Sequence, residues 1–184
     1  RHARAADSKR RIVEAMMELM REGDVAPTAE SVATRSGVGL RTVFRLFNDM
    51  DSLYREIHVI MSARLQPIAD EPFEPGNEVR RLEQLVERRA RILEQMMPFK
   101  TAADVHRARS PFLTAGHRDL VQLLRIMLLR AAPSIAGKRD LLEALDLTLS
   151  FESWRRLRTD QGLSPQRARA VLLQMVRALT KAIG

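Results

Sequence analysis

Cysteine is absent from the 184 residues. Its absence excludes disulfides, thiol nucleophiles and thiolate metal sites together. Aromatic residues make up only 4 %, and there are 8 glycines and 8 prolines. β-branched residues are also sparse, and no segment alternates apolar and polar residues with a period of two, so no strands are expected. No run approaches the ~20 consecutive apolar residues of a membrane span, and no signal-peptide pattern is visible. These absences predict a soluble cytoplasmic protein with no membrane partner. What is abundant is Ala, Leu, Arg, Met and Glu, the strong helix formers. With 45 % hydrophobic residues the chain can build a core, and the expected fold class is all-α.

The net charge of +8 does not locate a function. Residues 1–60 hold 10 Lys and Arg against 9 Asp and Glu, whereas residues 61–184 hold 21 against 14. The bland reading of the second excess is a solvated arginine-rich surface. The local pattern says more. Arg35, Arg41 and Arg45 fall in a stretch ending at Asn48 that contains no acid. Glu14, Glu18, Glu22 and Glu30 precede it; Asp49, Asp51 and Glu56 follow. A short basic element bounded by acidic helices suits contact with phosphate.

Apolar spacings of three and four place a first helix from a cap at Asp7 or Ser8 to about Glu22. Thr28 caps a second helix, Ala29 to about Ser36, with Ser31 where a capping box usually has Glu. Gly37 supplies the left-handed residue that ends it. A third short helix spans about Leu40–Phe47, and a fourth about Asp51–Ile68. Pro67, Pro72, Pro75 and Gly76 read as a connection between two regions. Further helices are expected at about 77–97, 101–109, 117–132, 138–160 and 165–183, separated at Pro98, Pro111, Pro133–Gly137 and Gly162–Pro165.

The second and third helices have the makings of a helix-turn-helix: two short helices, a glycine turn and inward apolar positions. Val32, Ala33, Val38, Val43 and Phe47 are the expected inward set. Arg41, Thr42, Phe44 and Arg45 are then left outward, able to meet base edges or phosphates in a major groove. Leu40 either contacts a thymine methyl or packs, and Thr28 either contacts DNA or only caps. Arg35 reads as a solvated charge or a phosphate contact. On spacing alone, a small helical hairpin with no DNA role fits equally well.

The run Thr28–Leu53 resembles the N-terminal signature of the tetracycline-repressor (TetR) family. Thr28, Val32-Ala33, Ser36-Gly37-Val38, Phe44-Arg45-Leu46-Phe47 and Leu53 carry the resemblance, extended upstream by Ile12, Ala15 and Gly23. It covers about residues 8–60. The segment from Trp154 to Pro165 is similar to the C-terminal part of many members. Two positions depart: Phe44 stands where the family usually has Tyr, and Met50 where it usually has Lys, both common phosphate contacts. The resemblance implies a DNA-binding domain over residues 1–50 and a helical dimerisation and ligand domain over 51–184. It implies a ligand-responsive repressor that binds a palindromic double-stranded operator as a homodimer.

The C-terminal stripes give modest independent support for a dimer. They are Leu141, Leu142, Leu145, Leu149 and Phe151, then Ala168, Val171, Leu172, Met175, Val176, Leu179 and Ile183. They fit either a four-helix interface or closure of the monomer core. For a small apolar or amphipathic effector the candidate lining is Met96, Met97, Phe99, Phe112, Met127, Phe151 and Trp154, residues that are as a group more often core than pocket. His106 and His117 are polar ligand contacts or ordinary histidines. No cluster has metal-ligand spacing, and no cofactor is expected. No paired nucleophile and base or phosphate loop appears, so an enzyme is not expected. Two other readings stay open: a helical interaction module without DNA binding, and a small-molecule-binding helical protein or enzyme.

Overall fold

The computed structural model describes residues 2–181; Ile183 of the last apolar stripe lies outside the described residues. The chain is all-α, and no strand occurs among the described residues. Its α-helices are α1 (His2–Arg21), α2 (Ala29–Ser36), α3 (Leu40–Leu46), α4 (Met50–Ala69), α5 (Glu78–His106), α6 (Pro111–Ala131), α7 (Arg139–Thr148), α8 (Phe151–Arg155) and α9 (Pro165–Thr180). Short 3-10 turns lie at Arg107–Arg109 and Pro133–Gly137, and a π-type turn at Arg156–Asp160 extends α8.

Two compact units form. The first comprises residues 1–64 and 96–116, the second 65–95 and 117–184, so α4, α5 and α6 each contribute to both. In the first unit Ile12, Met16 and Met20 of α1 are buried at helical spacing with Val32, Val43, Leu53 and Ile57. Several helix boundaries differ from expectation. α1 begins well before Asp7 and Ser8, which lie inside it. Asp7 instead pairs with Arg10 one turn on, so its carboxylate is used along the helix and not at its end. Pro67 lies within α4, two residues from its end, where it and Ala63, whose carbonyl it deprives of a partner, are both exposed residues.

Pro98 does not separate two helices either. α5 runs through it for 29 residues. Buried Leu93, Phe99 and Ala102 on both sides hold the helix together, so burial outweighs one missing hydrogen bond. α6 starts at Pro111, six residues before the expected 117. Proline is favoured as first helical residue, and Ser110 caps the helix by accepting the Leu113 N–H at 3.0 Å. The expected helix over 138–160 is broken after Thr148. There Ser150 accepts the Ser153 N–H at 3.1 Å and starts α8 afresh.

Most arginines of the C-terminal excess are exposed, as a solvated arginine-rich surface requires, but two of the second unit's are not. Arg88 and Arg89 of α5 are buried. The Arg89 guanidinium donates to the carbonyls of Leu149 and Leu124, and Leu149 is the residue that caps α7. Burial pulls the Arg89 pKa down to about 10, so it remains a cation at neutral pH, held by one carbonyl at the end of α7 and one within α6. Other arginines of this unit join helices through acids: Arg169 to Glu87, Arg177 to Glu83, and Arg125 to both Glu143 and Asp146. The apolar stripes largely close this unit's core. Leu142, Leu145, Leu149, Phe151, Ala168, Leu172 and Val176 are buried, leaving Leu147 and Met175 as exposed apolar residues on α7 and α9.

Candidate nucleic-acid interface

The turn between α2 and α3 is built from local chemistry. Thr28 Oγ1 accepts the Ser31 N–H at 3.1 Å, and Ser31 Oγ accepts the Thr28 N–H at 3.0 Å. Serine therefore completes the capping box, because its hydroxyl reaches the same N–H that a glutamate would. α2 ends at Gly37, whose φ of +63° is the left-handed conformation that glycine adopts without a Cβ penalty. Val38 is buried behind it. Asp49 then accepts the Ser52 N–H at 2.8 Å, fixing the chain as it enters α4.

The facing of α3 follows from burial of Val43, with Phe47 buried just beyond its end. Arg41, Phe44 and Arg45 are exposed, Leu40 and Thr42 half-buried, and Thr28 exposed at the start of α2. Phe44 keeps 55 % of its surface in solvent. Among the described residues neither Arg41 nor Arg45 has an ion-pair partner or side-chain hydrogen bond. Four residues apart on one helix, they share a face. Arg35 differs. Its guanidinium is bidentate to Glu22, just beyond α1, at 2.8 and 2.7 Å, with Glu18 of α1 at 3.6 Å. The hydrogen bonds with Glu22 raise the Arg35 pKa and lower that of Glu22. Arg35 is thus neither a bare solvated charge nor a free cation.

Beside α3 lies a shallow, mostly apolar depression of about 110 Å³. Pro27, Thr28 and Ala29 form one wall, Val43, Phe44 and Phe47 another, and Asp49, Met50 and Leu53 the third. The two positions that depart from the family pattern, Phe44 and Met50, both line it. The sequence reading passed over Lys9 and Arg11. Arg11 Nη2 donates to the Ser36 carbonyl, and Lys9 Nζ lies 2.5 Å from Glu56 Oε1. Nothing in a helical periodicity marks such contacts, since both residues read as the solvent face of α1.

The seven effector-lining candidates fall in different units. Met96 and Met97 are half-buried, Phe99 is buried and Phe112 half-buried, all within the first unit. The Arg21 guanidinium lies over the Phe99 ring at 5.3 Å, and that of Arg55 over Phe112 at 4.2 Å. His106 is tilted against Tyr54 at 5.8 Å. Met127, Phe151 and Trp154 are buried in the second unit, and His117 is half-buried there. The Trp154 N–H donates to Glu94 Oε2 at 3.0 Å, and Arg158 grips the same carboxylate. Among the described residues no group of three His, Asp or Glu is placed to hold a metal ion. No helix among them is long and apolar enough to cross a membrane.

The architecture has a counterpart among solved structures. A transcriptional regulator from Rhodococcus sp. Rha1 superposes with a TM-score of 0.73 over 95 % of this chain and 96 % of that one, at 17 % identity. The two proteins share a fold. By sequence the chain matches no protein-family model and no curated protein.

Proposed function

We propose that this protein is a DNA-binding transcriptional regulator that presents α3 to the major groove. The observation that carries this reading is the pair Arg41 and Arg45: exposed, unpaired and on one face of the second helix of a helix-turn-helix. Two free guanidiniums at this place suit guanine edges or phosphates. Thr42 adds a hydroxyl, and exposed Phe44 a ring that packs on sugar. Leu40 and Thr28 flank them. The fold shared with a transcriptional regulator supports the same reading.

The finer proposal is a TetR-type repressor, cytoplasmic and homodimeric, that reads a palindrome and is released by a small apolar or amphipathic effector. It divides the chain functionally at residue 50, with effector contacts among Met96, Met97, Phe99, Phe112, Met127, Phe151 and Trp154. Leu147 and Met175, exposed on α7 and α9, are where a partner copy would add burial. The test is selection of bound sequences from random duplexes in low and moderate salt. A recovered palindrome is expected. Absence of any enriched sequence overturns DNA reading, and would favour a protein-interaction role for the apolar depression beside Phe44.

A further inference from the structure

α3 has only seven residues, and its N-cap, Gly39, offers no side-chain hydrogen bond. A helix this short has no stability of its own, so its aim is set by what grips its two ends. α1 holds the turn that leads into α3 and the residue that ends it. At the front, Arg11 donates to the Ser36 carbonyl, the last residue of α2. Its terminal nitrogen sits over the turn so closely that a Cβ on Gly37 would meet it at 2.8 Å. At the back, the Lys9 ammonium lies 5.8 Å above the centre of the Phe47 ring, which caps α3. The same ammonium is held 2.5 Å from Glu56 of α4. Phe47 is 3 % exposed, so the lysine sits on a ring fixed in the core.

We infer that Lys9 and Arg11 are positioning residues for the recognition helix, bracketing it from α1, with Glu56 holding Lys9 in place. This rests on the DNA-reading role proposed above. In the fold Arg11 Nη2 is directed at a carbonyl, and the Lys9 ammonium at a ring and a carboxylate, rather than at the outward face of α3. Their effect on operator binding is therefore indirect: it sets the angle at which Arg41 and Arg45 arrive.

The two roles differ in sign and in salt dependence. Glu56→Gln in the 184-residue chain removes a negative charge, which by electrostatics alone tightens DNA binding. The positioning role requires the opposite, a several-fold loss of affinity for the duplex recovered by selection. Lys9→Met and Arg11→Met are expected to weaken binding similarly at every salt concentration. The slope of log affinity against log salt stays that of the parent, whereas loss of a direct phosphate contact lowers it by about 0.9. Lys9→Arg, which keeps a cation over Phe47, restores affinity. Thermal melts of each variant check that it is folded at the assay temperature; Glu56→Gln keeps the side chain's shape but removes the charge that holds the Lys9 ammonium, and serves if a Met variant unfolds. Unchanged or tighter binding by Glu56→Gln, or a slope reduced by a whole contact in Lys9→Met, overturns the assignment. A parent chain that enriches no duplex is a different result, removing the DNA-reading role and this inference with it.

Discussion

The Arg35 guanidinium is locked in a bidentate pair with the Glu22 carboxylate, at 2.8 and 2.7 Å, and so ties α2 to the end of α1. Of the three arginines in the acid-free stretch, this one is neutralised within the protein. Replacing Arg35 with Gln is expected to leave the salt dependence of operator binding unchanged, as anisotropy titrations across a salt series will register. A slope lowered by about 0.9 would instead make Arg35 a phosphate contact.

That pair also has a pH signature. Arg35 holds the Glu22 carboxyl below its ordinary value of 4.5. A carboxylate depressed in the folded state stabilises at pH above its unfolded value and loses that contribution as pH falls through the folded one. Thermal midpoints of the parent and Glu22→Gln should therefore differ at pH 6 to 7 and converge as the pH is taken below about 4. The pair is solvent-accessible, so the difference should also shrink at high salt.

Arg41 and Arg45 are predicted to behave unlike Arg35. Alanine at either should weaken operator binding while the thermal midpoint stays near the parent's, because neither side chain has a partner in the fold. If one reads a guanine, its loss costs about 1–3 kcal/mol and relaxes one base position; if it meets phosphate, the salt slope falls by about 0.9. A selection repeated with each variant separates these cases. Two variants that bind like the parent would remove α3 as the reading element.

Met50 opens α4 and lines the depression beside Phe44. Met50→Lys is expected to add a phosphate contact, tightening binding at low salt and steepening the salt slope by about 0.9. Identical salt series for Met50→Lys and parent would place this corner of α4 away from the DNA backbone.

Trp154 has no exposed surface, and its N–H is satisfied by Glu94. Trp154→Ala should cost about 3–5 kcal/mol, the range for deleting a buried aromatic, and lower the thermal midpoint by roughly 6–20 °C for a chain of this size. Glu94→Ala should also destabilise, since it strands both the indole N–H and the Arg158 guanidinium that share this carboxylate. Differential scanning fluorimetry checks both. A midpoint unmoved in Trp154→Ala would mean that this region is already open, as a ligand cavity would be.

Much of the segment from Thr28 to Phe47 is legible in the residues themselves. Thr28, Ser31 and Gly37 act on backbone groups within a few positions, so their cap, box and left-handed turn follow from local chemistry wherever the chain goes. The inward set Val32, Val38, Val43 and Phe47, and with it the outward facing of Arg41, Phe44 and Arg45, follows from helical period. Prolines misled, because proline only penalises a helix and does not forbid it. Burial of Leu93, Phe99 and Ala102 keeps α5 whole across Pro98, and exposure of the last turn of α4 lets Pro67 stand there.

What the tertiary structure decided is which charges are free. In the sequence Arg35, Arg41 and Arg45 are alike, as are Lys9, Arg11, Arg88 and Arg89. Folding brings Glu22 to Arg35, the Ser36 carbonyl to Arg11, Glu56 and Phe47 to Lys9, and the Leu149 carbonyl to Arg89. Each partner is distant in sequence, and long polar side chains carry no periodic signal of where they end. Local pattern thus determined where the exposed helix α3 lies, and long-range pairing determined that Arg41 and Arg45 are the cations left without a partner on it.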